Sequence, residues 1–535
     1  MHILLILAAG LVVVIAGIVF LRLPAFLALT LAAILVGVLT PRENRFEAFL
    51  SQNAGRITDV DGDAVRFSGG RLRADDPLTI APQLPGVSED QSIITGKARA
   101  ALEGTNLIPT YSDSFDDVAV GDLVATHRHI ELSTIHTNHT TLKRVTDSMG
   151  VYFGKLAIII VCASLIGRCL LDSGAAERIV RTALSLVGQR LAPAALTASS
   201  FVLGIPVFFD TVFYLMIPIA KTLRMQTGAN YLLYVMAIVA GATMAHSLVP
   251  PTPGPLAVAE MLNVEVSKMI AGGVIVGLFA AAGGLLWAGL MNHFFNLELP
   301  QEDAETLEST AQKSEEELPP LALAILPIAL PLLLISLPPL FNLNHLFLVA
   351  LSNKNTALLI SAGVALALYV WSARPTKSVM AEAMQSAVGS AGSILLITCA
   401  GGAFGQLLFQ TNVASMLDQI PGTSPIIFVV AAFLITASIR TAQGSATVAM
   451  MTSAGIFGPL AHSGVANVAP LYLALAIGCG SKPISWMNDS GFWIVTRMSG
   501  MKETEGLKFV SPLLTIMGVV GLLAVIGGVV FVPNP

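Results

Sequence analysis

Long apolar runs, separated by short polar interruptions, make up most of the chain. Arg168 is the only charged residue in seven of these runs, which are 3–20, 24–40, 156–171, 269–290, 321–340, 356–371 and 513–532. A helix of about 20 apolar residues crosses the hydrocarbon core of a bilayer. The pattern therefore predicts an all-α polytopic membrane protein, with the lipid bilayer around these helices.

Two polar stretches interrupt the apolar pattern. In residues 41–150, short β-branched segments lie between turn signals such as VDGDAV and FSGGRL, which predicts a small β-rich extramembrane insert. Residues 296–320 form an acidic linker, NLELPQEDAETLESTAQKSEEELPP, which we expect to be solvated. The linker separates two membrane-embedded halves.

The two membrane-embedded halves resemble each other. The segment SFVLGIPVFFDTVFYLMIPIAKTL (200–223) has the place in the first half that TASIRTAQGSATVAMMTSAGIFGPL (436–460) has in the second, and AHSLVPPTPGPLAVAEM (245–261) corresponds to SKPISWMNDSGFWIVTRM (481–498). In each half an apolar helix reaches a polar break containing Gly or Pro and then resumes. Duplicated units with interrupted helices are typical of secondary transporters, so we expect two inverted repeats with broken or re-entrant helices.

This organisation divides the chain into five parts. They are an N-terminal transmembrane hairpin (1–40), the insert (41–150), a first transporter repeat that continues from the hairpin (151–295), the linker (296–320) and a second transporter repeat (321–535).

Composition and charge support this picture and exclude other classes of protein. The chain is 54% hydrophobic and 12% charged, whereas soluble domains are about a quarter charged. The net charge of −5 comes from residues 41–150, which hold 11 Lys/Arg and 16 Asp/Glu. No basic stripe suggests nucleic acid, and no hydrolase motif, metal-ligand set or cofactor fingerprint occurs. We therefore expect no enzyme activity, no cofactor and no metal.

The positive-inside rule gives a weak prediction of orientation. Arg178, Arg181 and Arg190 follow one apolar run and favour the cytoplasmic side, which would place the insert outside the cytoplasm. Basic residues at both ends of the insert argue the other way: they are Arg42, Arg45, Lys143 and Arg144. We expect the insert to be extracytoplasmic.

The first two helix breaks contain few chemical groups. Backbone without helical hydrogen bonds at membrane depth is tolerated only in protein or beside a water-filled cavity, and helix N-termini attract anions. In GIPVFFDTV (204–212), Asp210 is the only acid between Glu177 and Glu260. In VPPTPGP (249–255), four prolines force an extended segment around Thr252 and Gly254. We expect Asp210 to be functional, although it could instead cap the resumed helix or pair with a buried arginine.

The other two breaks lie in the second half and are richer in polar groups. IRTAQGSATVA (439–449) holds Arg440, which suits either a substrate carboxylate or a structural ion pair with Asp210 or Asp489. SWMNDSGFW (485–493) holds Asp489, which is with Asp210 a candidate proton carrier, because a buried carboxyl can exchange a proton near neutral pH. The remaining candidate substrate-binding residues of these breaks are Gln443, Gly444, Ser445, Thr447, Asn488 and Ser490.

Together, the motifs GIPVFFD, VPPTPGP, GGAFGQLL, RTAQGSATVA and NDSGFW resemble the gluconate permease (GntP) family, over roughly 1–50 and 141–535. The resemblance implies proton symport of gluconate or a related hydroxy-acid, the inverted-repeat fold of the ion transporter superfamily, a homodimer and a bacterial inner membrane. It also implies that the matching positions bind substrate or protons. These are Asp210, Thr252, Gly254, Arg440, Gln443, Gly444, Ser445, Thr447, Asn488, Asp489 and Ser490. Many members have Glu in place of Asp210 and His in place of Thr252, which leaves the substrate open.

Two other functions remain open at this stage. Typical members of the family lack residues 51–140, so the chain could be a transporter-derived sensor that signals through this segment to an extramembrane partner. Coupling to sodium, with a carboxylate or an amino acid such as D-serine as cargo, is the other alternative.

Overall fold

The computed structural model describes residues 2–19, 21, 23–51, 55–61, 64–68, 78–81, 98–103, 106–109, 123–299, 317–340, 346–411, 424–463 and 468–532. Contacts between Cα atoms divide the chain into two compact units. The first comprises Met1–Val14, Thr30–Ser148 and Gln406–Ile420, and the second comprises Ile15–Leu29, Met149–Gly405 and Pro421–Pro535.

The described helices include one at each of the seven predicted apolar runs. They are α1 (His2–Val19), α2 (Ala25–Leu39), α3 (Arg42–Ser51), α4 (His127–Asn138), α5 (Thr141–Asp172), α6 (Ala175–Val187), α7 (Ala192–Gly204), α8 (Phe209–Thr227), α9 (Tyr231–Leu248), α10 (Pro253–Met261), α11 (Val266–Phe294), α12 (Leu321–Leu340), α13 (Leu346–Ser352), α14 (Lys354–Ala373), α15 (Lys377–Phe409), α16 (Pro425–Gln443), α17 (Ala446–Ser463), α18 (Pro470–Gly480), α19 (Ser490–Ser499) and α20 (Glu503–Phe531). A turn of 3-10 helix at Gln189–Leu191 precedes α7.

Seven helices of the described part are long and apolar enough to cross a membrane. They are α5, α9 together with α10, α11, α14, α15, α16 and α20. The bent pair α2 and α3, with an angle of 111° between them, would make an eighth span if counted as one. The prediction of a helical, polytopic membrane protein is confirmed.

Six short strands belong to the first unit. They are β1 (Gly55–Asp61), β2 (Ala64–Ser68), β3 (Leu78–Ala81), β4 (Ala98–Glu103), β5 (Asn106–Pro109) and β6 (Leu123–Thr126). All pairings are antiparallel, and the order β1-β2-β5-β4-β3-β6 closes into a barrel because β1 pairs with β6 through Gly55 and Val124. A closed barrel leaves no unpaired strand edge.

The most buried of the candidate spans is the interrupted helix formed by α9 and α10, in which 89% of the most apolar 18-residue stretch is buried. Glycines allow its neighbours to approach it closely. A Cβ atom on Gly241 of α9 would lie 2.1 Å from the carbonyl oxygen of Thr197 in α7, and one on Gly273 of α11 would lie 2.1 Å from that of Leu248. These distances are far below van der Waals contact, so α7 and α11 pack backbone against backbone on α9, as small residues permit in membranes.

Each of the four predicted breaks is an interruption between two helices. The first separates α7 from α8, the second α9 from α10, the third α16 from α17, and the fourth α18 from α19. At the third break, Gly444 adopts φ +81°, a left-handed conformation that suits glycine and ends α16. The breaks therefore expose the N-termini of α8, α10, α17 and α19.

Candidate functional site

A cavity of about 380 Å³ lies within the second unit, where three of the four breaks meet. Its wall is built by the N-terminal residues of α8, α17 and α19, by the end of α16, by the residues just after α18, and by parts of α9, α15 and α20. Small-molecule sites usually have volumes of ~300–1,000 Å³. The cavity is therefore large enough for a small solute.

Three helix N-termini face this cavity. Phe209 and Asp210 line it at the start of α8, Ser445 just before α17, and Ser490 and Gly491 at the start of α19. No side chain caps α8, whereas the Ser445 hydroxyl accepts a hydrogen bond from the Val448 N–H of α17 at 3.4 Å. The N–H groups at a helix N-terminus carry about half a positive charge and bind anions. The wall is consequently suited to a carboxylate.

Arg440, at the end of α16, is fully engaged by the protein. Its guanidinium donates to the carboxylate of Asp489 and to the carbonyl oxygens of Gly444 and Ser481, the latter at 3.1 Å from Nε. Asp489 in turn accepts hydrogen bonds from the Ser485 hydroxyl and, at 2.9 Å, from the Gly491 N–H, so it caps α19. Arg440 is only 4% exposed. The sequence allowed Arg440 either to bind a substrate carboxylate or to form a structural ion pair. In the structure it forms an ion pair with Asp489.

Asp210 has a different environment. It is half-buried in the first turn of α8, and its carboxylate accepts one long hydrogen bond of 3.5 Å, from the Thr211 hydroxyl. It forms no ion pair with any residue that the structure describes. Asp210 is thus an acidic group that faces the cavity without a cationic partner.

Sequence reasoning missed one charged residue of the site. Lys482, just after α18, is 5% exposed and lines the cavity, and its ammonium group has no hydrogen bond or ion pair within the described ranges. The segment GCGSKPIS, where a single lysine follows an apolar helix, contained the signal. An ionisable residue in such a segment is a functional candidate because its burial is unfavourable.

His246, near the end of α9, is a second group without a partner in the cavity wall. Its Nδ1 atom is buried and has no hydrogen-bond partner in the part of the chain that the structure describes. Its ring contacts Phe208 edge to face with a centroid distance of 6.0 Å. Buried polar atoms in native proteins are usually paired. An unpaired one in a cavity wall therefore points to a ligand or water.

The structure brings six of the predicted residues to the cavity. They are Asp210, Arg440, Ser445, Thr447, Asp489 and Ser490. Hydroxyl groups of Thr211, Thr243, Ser390 and Ser481 add further polar lining.

Four other predicted residues lie outside the cavity wall. Thr252 donates from Oγ1 to the Val249 carbonyl oxygen at 2.6 Å, and a Cβ on Gly254 would lie 2.3 Å from Cε of Met450 in α17. A Cβ on Gly444 would lie 2.1 Å from the carbonyl oxygen of Asn488, whose side chain donates to two carbonyl oxygens of α16. These four residues therefore contact neighbouring segments of the protein and not the cavity. Gln443 ends α16, and its side chain lies outside the described residues.

Comparison with known proteins identifies relatives that cover most of the chain. The profile of the GntP family permeases matches residues 129–531. A gluconate permease of Pseudomonas aeruginosa is 31% identical over 395 residues, which are 72% of this chain and 87% of the relative. The Gnt-II system L-idonate transporter of Escherichia coli is 27% identical over 397 residues, covering 72% of this chain and 88% of the relative.

Among solved structures, MtrF of Neisseria gonorrhoeae has a similar fold. The TM-score is 0.57 at 17% sequence identity, and the likeness covers 85% of this chain and 91% of MtrF. At this identity the similarity concerns the fold alone.

Proposed function

Because the chain belongs to the GntP family of permeases, we propose that it is a secondary active transporter that takes up gluconate or a related hydroxy-carboxylate by proton symport. Membership of a permease family agrees with the prediction that the protein is not an enzyme, and the chain is a multi-pass membrane protein of the bacterial inner-membrane type. The observation that carries the proposal is the cavity at the helix breaks. It combines three helix N-termini with Asp210 and Lys482, which form no ion pair with the described residues.

The cargo's carboxylate would lie where positive potential is highest. Helix N-termini and a nearby ammonium group both favour an anion, and the low dielectric of a closed cavity strengthens the attraction. The hydroxyl groups of Ser445, Thr447 and Ser490 line the same space and would replace the water around the cargo's hydroxyls. A sugar acid, with one carboxylate and several hydroxyls, fits these groups.

Asp210 is the proton carrier in this proposal, and Asp489 positions Arg440. The Asp489 carboxylate already holds the N-terminus of α19, the Ser485 hydroxyl and a guanidinium, so protonating it would break the local structure. Asp210 has no such bonds to lose, because its one hydrogen bond to the described part of the chain is the 3.5 Å contact with Thr211.

Charge balance would couple the proton to the anion. With all four groups ionised, Arg440 and Lys482 balance Asp210 and Asp489, so the empty site is neutral. Binding one proton and one monoanion together also leaves it neutral, whereas either alone leaves an uncompensated charge. An unpaired buried charge costs several kcal/mol, so only the empty and the doubly loaded site would change orientation readily.

The larger-scale features of the proposal follow from the same family. The pairs of broken helices, α7–α8 with α9–α10 and α16–α17 with α18–α19, would be inverted repeats that rock around the cavity. We place the segment 41–150 outside the cytoplasm as a small β-rich domain, which the six-stranded barrel supports, and we propose that the transporter is a homodimer.

Uptake by the purified protein in liposomes tests the mechanism. Labelled gluconate should accumulate when the outside is made acidic, and Asp210→Asn should abolish accumulation. The same variant should retain exchange of internal for external gluconate, because its anion-loaded site is neutral. Asp147→Asn is the matched control, since Asp147 is 50% exposed and pairs with Lys143 at 3.3 Å. Accumulation that follows a sodium gradient and ignores pH would refute proton coupling and favour the sodium alternative.

A further inference from the structure

The cavity contains two polar groups that the protein itself leaves without partners, Lys482 and His246. Lys482 is 5% exposed and has no bonding partner in the described chain, and the buried Nδ1 of His246 has none either. They belong to different halves of the sequence, on α9 and after α18. Two independent vacant groups in one cavity indicate a ligand that supplies an anion and a neutral polar group.

We propose that Lys482 and His246 together recognise a 2-hydroxy-carboxylate, with the Lys482 ammonium binding the carboxylate and the His246 imidazole binding the adjacent hydroxyl. This assignment rests on the proposed transport function and specifies how the cargo is selected. In this assignment the carboxylate of the cargo binds Lys482 and not Arg440.

The contacts of Arg440 support this division of roles. Its guanidinium already donates to Asp489, Gly444 and Ser481, all of which belong to the breaks themselves. Turning it toward a ligand would leave Asp489 as a buried charge without its partner. Lys482 has no hydrogen bond or ion pair with the described residues that it would have to break. An ammonium group is a compact charge with three donors on a flexible side chain, so it can adjust to the position of a carboxylate.

The environment of His246 suits a hydroxyl more than a second charge. The His246 ring lines the cavity, and its Nδ1 has no hydrogen-bond partner among the described residues, so a hydroxyl of the cargo would supply the partner that the protein does not. A hydroxyl both donates and accepts, and it therefore pairs with this nitrogen in either tautomer of a neutral ring. Lys482 lines the same cavity as His246, so a second cation there, such as the α-ammonium of an amino acid, would be repelled by the Lys482 ammonium.

Calorimetric titration of the detergent-solubilised full chain tests the assignment, with sodium gluconate and sodium 2-deoxygluconate as probes. The unaltered protein should bind gluconate about tenfold more tightly than the 2-deoxy compound, the effect of one hydrogen bond. His246→Phe should lose this preference while binding 2-deoxygluconate as before, and His246→Gln should keep part of it. Lys482→Met should weaken both probes by about 100-fold or more, whereas Lys377→Met, at an exposed position, should weaken neither.

The thermal midpoint of each variant separates binding from folding. Lys482→Met should not lower it in the absence of ligand, because an apolar side chain replaces a buried charge that has no hydrogen bond or ion pair with the described residues. Unchanged gluconate binding by Lys482→Met, or an equal loss of both probes in His246→Phe, would overturn this assignment and leave the transport proposal standing. Absence of gluconate binding by the unaltered protein would overturn both.

Discussion

Replacing Arg440 by methionine tests whether its guanidinium holds the fold together or binds the cargo. Arg440 is 4% exposed, and its three nitrogens donate to Asp489 and to two carbonyl oxygens. Methionine keeps the aliphatic part of the side chain and removes every donor. The variant therefore removes these bonds with little change in packing.

The expected loss of stability follows from these bonds. Removing one partner of a buried ion pair costs about 3–5 kcal/mol, since Asp489 would remain charged and unpaired. Each carbonyl oxygen of Gly444 and Ser481 that loses its donor adds about 1 kcal/mol. The sum is about 5–7 kcal/mol, which lowers the thermal midpoint by roughly 10–14 °C if each kcal/mol corresponds to about 2 °C.

Thermal unfolding in detergent, followed by tryptophan fluorescence, measures this loss. Adding Asp489→Leu to Arg440→Met should restore part of the stability, because the unpaired acid is then gone, and the double-mutant cycle should show a coupling of about 3 kcal/mol. Arg497→Met is the control, since Arg497 is 73% exposed and its pair with Glu503, at 3.6 Å, contributes less than about 1 kcal/mol. An unchanged midpoint for Arg440→Met, together with lost gluconate binding, would refute the structural role.

Glycine positions give two further predictions. Gly444→Ala should lower the thermal midpoint and uptake together, because φ is +81° and the new Cβ would lie 2.1 Å from the carbonyl oxygen of Asn488. Its control is Gly188→Ala, where φ is +70° but the space is open, so only the smaller effect of backbone strain is expected, about 1 kcal/mol. Gly241→Ala should also destabilise the protein, because its Cβ would lie 2.1 Å from an α7 carbonyl oxygen, and this outweighs alanine's better helix propensity. Its control is Gly289→Ala, which lies in open space and should be neutral or stabilising by up to about 1 kcal/mol. The thermal midpoints of the four variants check both predictions, and a Gly241→Ala protein as stable as Gly289→Ala would contradict the packing argument.

The helices and their interruptions could be predicted because their causes are local. An apolar run of sufficient length forms a helix in a membrane, and Gly or Pro within polar residues interrupts it. The sequence therefore located all four breaks as interruptions between helices. Asp210 was identified for a similar reason, as a lone acid in an apolar stretch.

The grouping of residues in space could not be predicted from the chain. Arg440 could have paired with Asp210 or Asp489, and the choice depends on how α16 and α19 pack. Thr252 lies in a break like the others, but Gly254 of the same break packs against Met450, and neither lines the cavity. The segment GCGSKPIS marks Lys482 as a lone lysine after an apolar helix, but it does not tell whether the side chain points into a cavity or reaches solvent.

The four charged groups of the cavity differ in how many hydrogen bonds the protein gives them. Arg440 and Asp489 have several, whereas Asp210 and Lys482 have few or none with the described residues. The Arg440–Asp489 pair satisfies its hydrogen bonds within the breaks and can remain in every state of a carrier. Asp210 and Lys482 lack such bonds, which is unfavourable for folding, yet a group already satisfied by the protein would have little affinity left for a proton or an anion. Binding sites commonly sacrifice stability in this way. If the proposed site is correct, substitutions at Lys482 should remove binding without lowering stability, whereas those at Arg440 should lower both.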